Sequence, residues 1–354
     1  MRRYLAVLLK DAKASLFKEG PDITLTEYLS GVEALNYYLG DLRDDAHPEA
    51  AAFKKAMEPL SSFGDGPLAV QEKIYDSTTA IEITFDDLSS RLYWMSSDFR
   101  YRPYGSGGIE HIIMVHSHIP ERIHVVSDGI FRPALKLCLA SREYEGTVDI
   151  IVTPKELGIS VDGGDIPMNV YIQAHALRRL AERLDCIAVG VSHLYLCYSL
   201  NEHVVHHEKE GTFLIEYRLR EKKAGYLVAE IKDGKLIVKT FLFVTNSGTP
   251  EGNALQQICG LGKLDRQFLA IDKLSTFIAT DIRSDKELEK LFLESGCGSL
   301  LDLHDNVEGI NTMQGMTSSM PRLKKYLGLN TRRDFMMPDP LDKVRRKIGR
   351  EMEG

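Results

Sequence analysis

Four side chains with chemical potential lie on one side of the stretch YIQAHALRRLAERLDCI (171–187): His175, Arg179, Glu182 and Arg183. Imidazole titrates near neutral pH, so it can move the proton of a ribose 2′-hydroxyl or of a leaving oxygen. Guanidinium groups neutralise charge that builds up on phosphate oxygens. One histidine with two or three arginines is therefore a usable set for cleaving a phosphodiester, and it needs neither metal nor thiol. In that set His175 is the acid–base group, and Arg179 and Arg183 hold the phosphate. The plain alternative is an ordinary solvated face, because Glu182 can pair with Arg178 or Arg179 at helical spacing.

The elements that must position these groups are readable in part. The spacing of Ala174, Leu177, Leu180, Ala181, Leu184 and Ile187 predicts an amphipathic helix across the whole stretch. A second helix is expected over 192–203, capped by Ser192. TFLIEYRLR (212–220) alternates as a strand. YLVAEIKDGKLIVKTFLFVTN (226–246) reads as a hairpin turning at Asp233-Gly234, with Ile231 opposite Leu236, Ala229 opposite Val238 and Leu227 opposite Thr240. Thr249 and Pro250 then start another helix, and further helices are expected over LQQICGLGKLDRQFLAIDKLSTFIATD and SDKELEKLFLES.

His175-Ala176-x-x-Arg179-x-x-Glu182-Arg183 resembles the HAxxRxxER helix of small toxin-like domains. Those domains are grouped with the RelE- and barnase-like, metal-independent ribonucleases. The resemblance covers residues 172–246. It implies a helix followed by a short antiparallel sheet, with a polar residue on a late strand joining the histidine and arginine; Thr245 is in that place here. It also implies RNA cut through the 2′-hydroxyl to a 2′,3′-cyclic phosphate, with no cofactor. The polar face of the sheet, with Arg218, Arg220 and Lys239, would help bind the substrate. The chain departs from such domains in its size, its acidity and its long C-terminal helices.

The rest of the chain supplies weaker candidates. His111, His116, His118 and His124 fall on or near two expected strands, but no Cys, Asp or Glu completes a zinc set. His203, His206 and His207 lie in a polar turn. YGSGG (104–108) lacks the following Lys-Ser/Thr helix of a nucleotide-phosphate loop. No serine-hydrolase elbow, HExxH or Rossmann fingerprint is present. The five cysteines are scattered and odd in number, which suggests reduced thiols in a cytoplasm rather than a disulfide frame.

The N-terminal 60 residues read as helical. Strands are expected over 79–85, 109–117 and 147–153, a hairpin over 122–131, and a short helix from about Pro133. The fold class expected is α+β: a helical and mixed region (1–160), a domain of helices around a small antiparallel sheet (161–320), and a basic tail (321–354) ending in a helix at 341–352. The 354-residue chain carries a net charge of −7, which excludes a generic nucleic-acid binder. Residues 319–354 hold ten Lys and Arg against five Asp and Glu. That tail suits an acidic protein partner, RNA or the acidic body itself. A non-catalytic interaction protein, docking through the tail or the N-terminal region, is thus the alternative to a toxin-like ribonuclease or a degenerate relative of one. No apolar run reaches membrane-spanning length.

Overall fold

The computed structural model describes residues 2–15, 22–61, 66–102, 108–127, 129–159, 165–202, 204–207, 211–305 and 320–328. The basic stretch 331–354, and with it the helix expected at 341–352, lies outside them. So do His203 and most of YGSGG.

The N-terminal part is mostly helical: α1 (Arg2–Asp11), the short strands β1 (Lys13–Ser15) and β2 (Asp22–Thr24), α2 (Leu25–Glu27), a π-helical turn at Tyr28–Val32, α3 (Glu33–Asp41), α4 (Ala50–Ser61) and α5 (Gly66–Phe85). α5 corrects the strand expected at 79–85. The hydroxyls of Thr78 and Thr84 are satisfied inside the helix, donating back to the carbonyls of Ile74 and Ala80 at 2.8 and 2.6 Å. One face of α5 is also anchored, since Glu82 and Asp86 accept the amides of Met95 and Tyr93.

β3 (Leu92–Arg102) and β4 (Gly108–His118) form a separate antiparallel pair. Next come β5 (Arg122–Ser127), β6 (Ile130–Lys136), β7 (Cys138–Ser141), β8 (Gly146–Asp149), β9 (Ile151–Val152) and β10 (Met168–Gln173). β6 and β7 replace the helix expected from Pro133. Proline is tolerated here because β10 pairs only with Ala134–Lys136, so the ladder has ended before position 133.

α6 (Ala174–Arg183) and α7 (Val189–Asn201) lead into β11 (Val205–His207), β12 (Thr212–Leu219), β13 (Lys222–Lys232) and β14 (Lys235–Phe243). Tyr171–Gln173, expected to begin the helix, are instead the end of β10. Ser192 lies inside α7, which is capped at Ala188. The remaining helices are α8 (Pro250–Cys259), α9 (Lys263–Phe268), α10 (Leu274–Ile278), α11 (Lys286–Glu294), α12 (Gly298–Asp305) and α13 (Met320–Tyr326).

The expectation of a small antiparallel sheet is overturned. Eight strands make one mixed sheet in the order β11-β12-β13-β14-β10-β6-β5, with β9 added on β10. β10 and β14 run parallel, through Val170↔Leu236 to Ile172↔Val238. The class remains α+β. The sheet takes β5, β6 and β9 from before the boundary expected at residue 161 and β10–β14 from after it, so its hydrogen bonding is continuous across that boundary.

The hairpin turn stands where Asp233-Gly234 predicts, with φ of 48° and 67°. The pairs Ile231↔Leu236 and Ala229↔Val238 are as expected, but a bulge at Lys239 moves Thr240 opposite Val228 and Phe241 opposite Leu227.

The main core lies on one face of this sheet. Ala176, Leu180 and Leu184 from α6, and Leu196 and Leu200 from α7, pack on Ile172, Leu227 and Val238, joined by Phe277 and Phe292 of the C-terminal helices. The opposite face carries a small apolar group, Ala134, Tyr171 and Ile237, together with the buried Leu214 and Tyr226, and is otherwise rich in charged pairs. Among the described residues no helix is long and apolar enough to cross a membrane.

Candidate functional site

α6 begins where β10 ends. Gln173 occupies its cap position in extended geometry but makes no capping hydrogen bond. The first-turn amides of α6 therefore lack a side-chain cap, which is the arrangement that attracts anions. Gln173 is 2% exposed, and its Nε2 has no partner among the described residues.

β6 runs antiparallel beside β10 with Gln173 opposite Ala134. Arg132, two residues before Ala134 on β6, lies close enough for its charge to act on His175, and its Nε is also buried and unpartnered among the described residues. His175 itself is half-buried. Desolvation, followed by the charges of Arg179, Arg178 and Arg132, holds its pKa below the usual imidazole value, and Glu182 opposes them. The imidazole is thus biased to its neutral form among three cations.

The predicted quartet does not assemble. Arg179 makes an ion pair with Glu182 at 2.7 Å, with both side chains well exposed. Arg183 points into the core and donates to the carboxylate of Asp272. Thr245 is fully buried, and its hydroxyl donates to the carbonyl of Ile271 at 2.7 Å. Arg183 and Thr245 thereby hold the C-terminal helices to the sheet.

The expected substrate-binding residues are dispersed as well. α6 covers β14, whereas Arg218 and Arg220 belong to β12 and its following turn, two strands away. Arg218 binds Glu216 through Nε and Nη2, at 2.9 and 2.7 Å, and Lys239 pairs with Glu230 at 3.1 Å. Glu216 also receives His206 at 3.0 Å and lies beside Lys223, which reaches Glu251 and the Tyr226 hydroxyl. This network on the second face is internally paired. Residues 205–207, expected as an exposed turn, are edge strand β11.

His116 and His124 also find structural places. His116 stacks on Trp94 with centroids 5.3 Å apart and bonds the Ser96 hydroxyl at 2.8 Å. His124 lies on β5 in the large sheet, not beside β4. No group of three or more His, Cys, Asp or Glu among the described residues is arranged to hold a metal.

Two clefts flank α7. One, of about 300 Å³, includes Glu82, Asp86, Arg142 and Tyr93 in its lining. Asp86 follows the last residue of α5, one turn on from Glu82, and desolvation with the nearby Glu82 charge pushes it up to about 7, against the Tyr93 amide. The two carboxylates serve the outer edge of β3, where no further strand supplies acceptors. The other cleft, of about 250 Å³, opens between α6 and α7 and is floored by Leu88, Leu177 and Leu180. At the first of these clefts Gly190 allows α7 to meet α5 closely, since a Cβ at that position would sit 1.7 Å from the carbonyl oxygen of Ile83.

Sequence reasoning missed Arg132, Gln173 and the α6–α7 cleft. The pairing of Gln173 with Ala134 brings β6, and with it Arg132, to the start of α6, and such pairing leaves no local trace. Ser192 and His193, two polar residues inside the apolar run VGVSHLYLCYSL, were the one readable signal for the cleft.

Compared with known proteins, the chain matches no protein-family model, no curated protein and no solved structure.

Proposed function

We propose that the chain is a metal-independent endoribonuclease-like enzyme acting on a phosphodiester at the N-terminus of α6. The observation that carries this reading is the convergence of unpartnered donors there. Arg132 Nε and Gln173 Nε2 are buried without acceptors among the described residues, beside an uncapped helix start and a histidine under the charge of three arginines. A site built of donors calls for an anion.

His175, in its neutral form, takes the proton of the ribose 2′-hydroxyl. The 2′ oxygen forms a bond to phosphorus as the bond from phosphorus to the 5′ oxygen breaks, and the imidazolium returns the proton to that 5′ oxygen. Arg132 and Arg178 offset the charge on the non-bridging oxygens, and Arg179 joins them by exchanging its exposed Glu182 partner for the phosphate. Arg183 and Thr245 take no part, being committed to Asp272 and Ile271.

The test uses the purified full chain with single-stranded RNAs, with and without EDTA and with and without ribosomes. Cleavage that resists EDTA and leaves a 2′,3′-cyclic phosphate is expected, with His175→Ala lowering the rate ~10²–10⁴-fold. Intact RNA in every condition, or a His175→Ala protein as fast as the parent, overturns the reading.

A further inference from the structure

The cleft of about 300 Å³ between α5 and α7 holds two carboxylates whose hydrogen bonding is half used. Glu82 and Asp86 both line it, at 8% and 9% exposure. Glu82 Oε1 accepts the Met95 amide and Arg142 Nε, and Asp86 Oδ1 accepts the Tyr93 amide. The second oxygens, Glu82 Oε2 and Asp86 Oδ2, have no partner among the described residues, and neither is sealed from solvent.

The charge around that pair is unbalanced. Arg142 is the one cationic side chain in the lining, against Glu82, Asp86 and Glu143. Arg142 is also committed: it pairs with Glu82 at 2.8 Å, donates to the Thr78 hydroxyl at 2.7 Å and lies over the Tyr75 ring, 4.6 Å from its centre. Burial and then the Glu82 charge push the Asp86 carboxyl up to about 7; the Tyr93 amide opposes them, but no cation does. His193, Cys138 and Cys197 stand behind the cleft. Burial lowers His193 to about 4 and raises both thiols, so none of these three changes charge near neutral pH. A desolvated carboxyl with a free oxygen in a cleft and no cation beside it is half of an ion pair.

Three features narrow the missing cation. Each carboxylate has one free oxygen, so neither can take a guanidinium in the two-pronged way that such groups favour. A divalent ion needs more oxygens than these two, or its own water shell, and the surrounding hydrocarbon gives that shell no partner. Ile83, Leu139, Leu194 and the rings of Tyr75 and Tyr198 make an apolar wall that suits a hydrocarbon chain. A compact ammonium group on a short alkyl chain meets all three conditions, and aromatic faces attract it.

We infer that this cleft binds the primary ammonium end of an alkylamine, with Glu82 Oε2 and Asp86 Oδ2 accepting its N–H groups and Leu139, Leu194 and Tyr198 covering its chain. The site is independent of the ribonuclease reading. A free amine and the side chain of a partner's lysine carry the same group, so the test includes a probe for each.

Calorimetry of the full chain with n-butylammonium, with Nα-acetyl-lysine amide and with 1-butanol provides that test. At about pH 8 at least one of the two amines should bind about tenfold more tightly than the alcohol. Tighter binding of the lysine derivative assigns the site to a lysine side chain, and tighter binding of butylammonium assigns it to a free amine. Below about pH 7 the amine must displace the Asp86 proton while keeping its own charge, so affinity should fall by up to about tenfold per pH unit. Asp86→Asn keeps an oxygen for the Tyr93 amide; it should bind the amine about tenfold more weakly and lose the pH dependence. Tyr198→Ala, at a half-exposed position on the cleft wall, should weaken binding severalfold. A thermal melt shows that each variant is folded. Absence of amine binding, equal binding of amine and alcohol, or an affinity constant across pH overturns the inference. So does undiminished binding by folded Asp86→Asn, or displacement of the amine by an equal concentration of magnesium or guanidinium.

Discussion

Arg183, in the last turn of the helix that carries His175, donates to the Asp272 carboxylate inside the core, with the two side chains 10% and 3% exposed. Burial pushes Asp272 above the usual carboxylate range, and the Arg183 charge pulls it back. Arg183→Ala removes that counter-charge. It should cost about 3–5 kcal/mol of stability, because a buried carboxylate is left alone. Replacing both residues by apolar ones of similar size should recover much of the loss. Urea unfolding of the two single variants and the double variant checks this; a stable but catalytically slow Arg183→Ala protein would instead return the residue to the phosphate site.

The depressed proton affinity of His175 has a kinetic signature. A base that must be neutral makes the rate rise with pH through the residue's pKa, and here that rise should centre below the ordinary imidazole value of 6.5. Arg132→Gln removes one of the cations that disfavour the imidazolium, so the midpoint should move up. Rate–pH profiles of the two proteins decide the matter, and an unshifted midpoint would place Arg132 too far away to act.

Asp86 should give stability a pH dependence of definite sign. Its pKa is raised from 3.8 to about 7, so between those values the folded chain keeps a proton that the unfolded chain has released. The contribution is fully present below pH 3.8 and is lost as pH rises to about 7. Asp86→Asn keeps an oxygen for the Tyr93 amide and cannot titrate. The difference in unfolding free energy between variant and parent should therefore move in the variant's favour as pH rises through that window, and a constant difference across it would refute the assignment.

The turn at Asp233-Gly234 places both residues at positive φ. Gly234→Val puts a β-branched side chain where it is strained, which should cost on the order of 1–3 kcal/mol. A thermal melt equal to the parent's would contradict that turn geometry.

What was legible in the chain was local. Asp233-Gly234 marked its own turn, Thr249 and Pro250 marked the start of α8, and the alternation of Phe213, Ile215, Tyr217 and Leu219 marked β12. Pairings between distant segments left no such mark. β10 is buried on both faces, so MNVYIQ shows no alternation and merged with the helix that follows it. The helical spacing around Ala134-Leu135-Lys136 hid a strand whose partners lie at Arg122–His124 and Tyr171–Gln173. On α6 the residue types were read correctly as polar, but their partners were not visible: Asp272 for Arg183 lies 89 positions along the chain, and Arg132 approaches His175 only through the sheet. The bulge at Lys239 shifted the far half of a hairpin whose near half was read correctly, because the turn dipeptide fixes the pairs beside it and carries no mark of a residue inserted further along the strand.

The parallel pairing of β10 with β14 also imposes an order in time. Leu236 follows its partner Val170 by roughly 66 residues, so at ~5–20 residues per second a ribosome releases β10 several seconds before β14 has been made. Until then β10 can be bonded only along the edge that β6 and β9 share, and its other edge stays open to any extended segment nearby. The centre of the sheet thus closes late. A chain halted between α7 and β14 would have the His175 helix and both flanking strands of its cradle, together with an unpaired edge where the middle of the protein belongs.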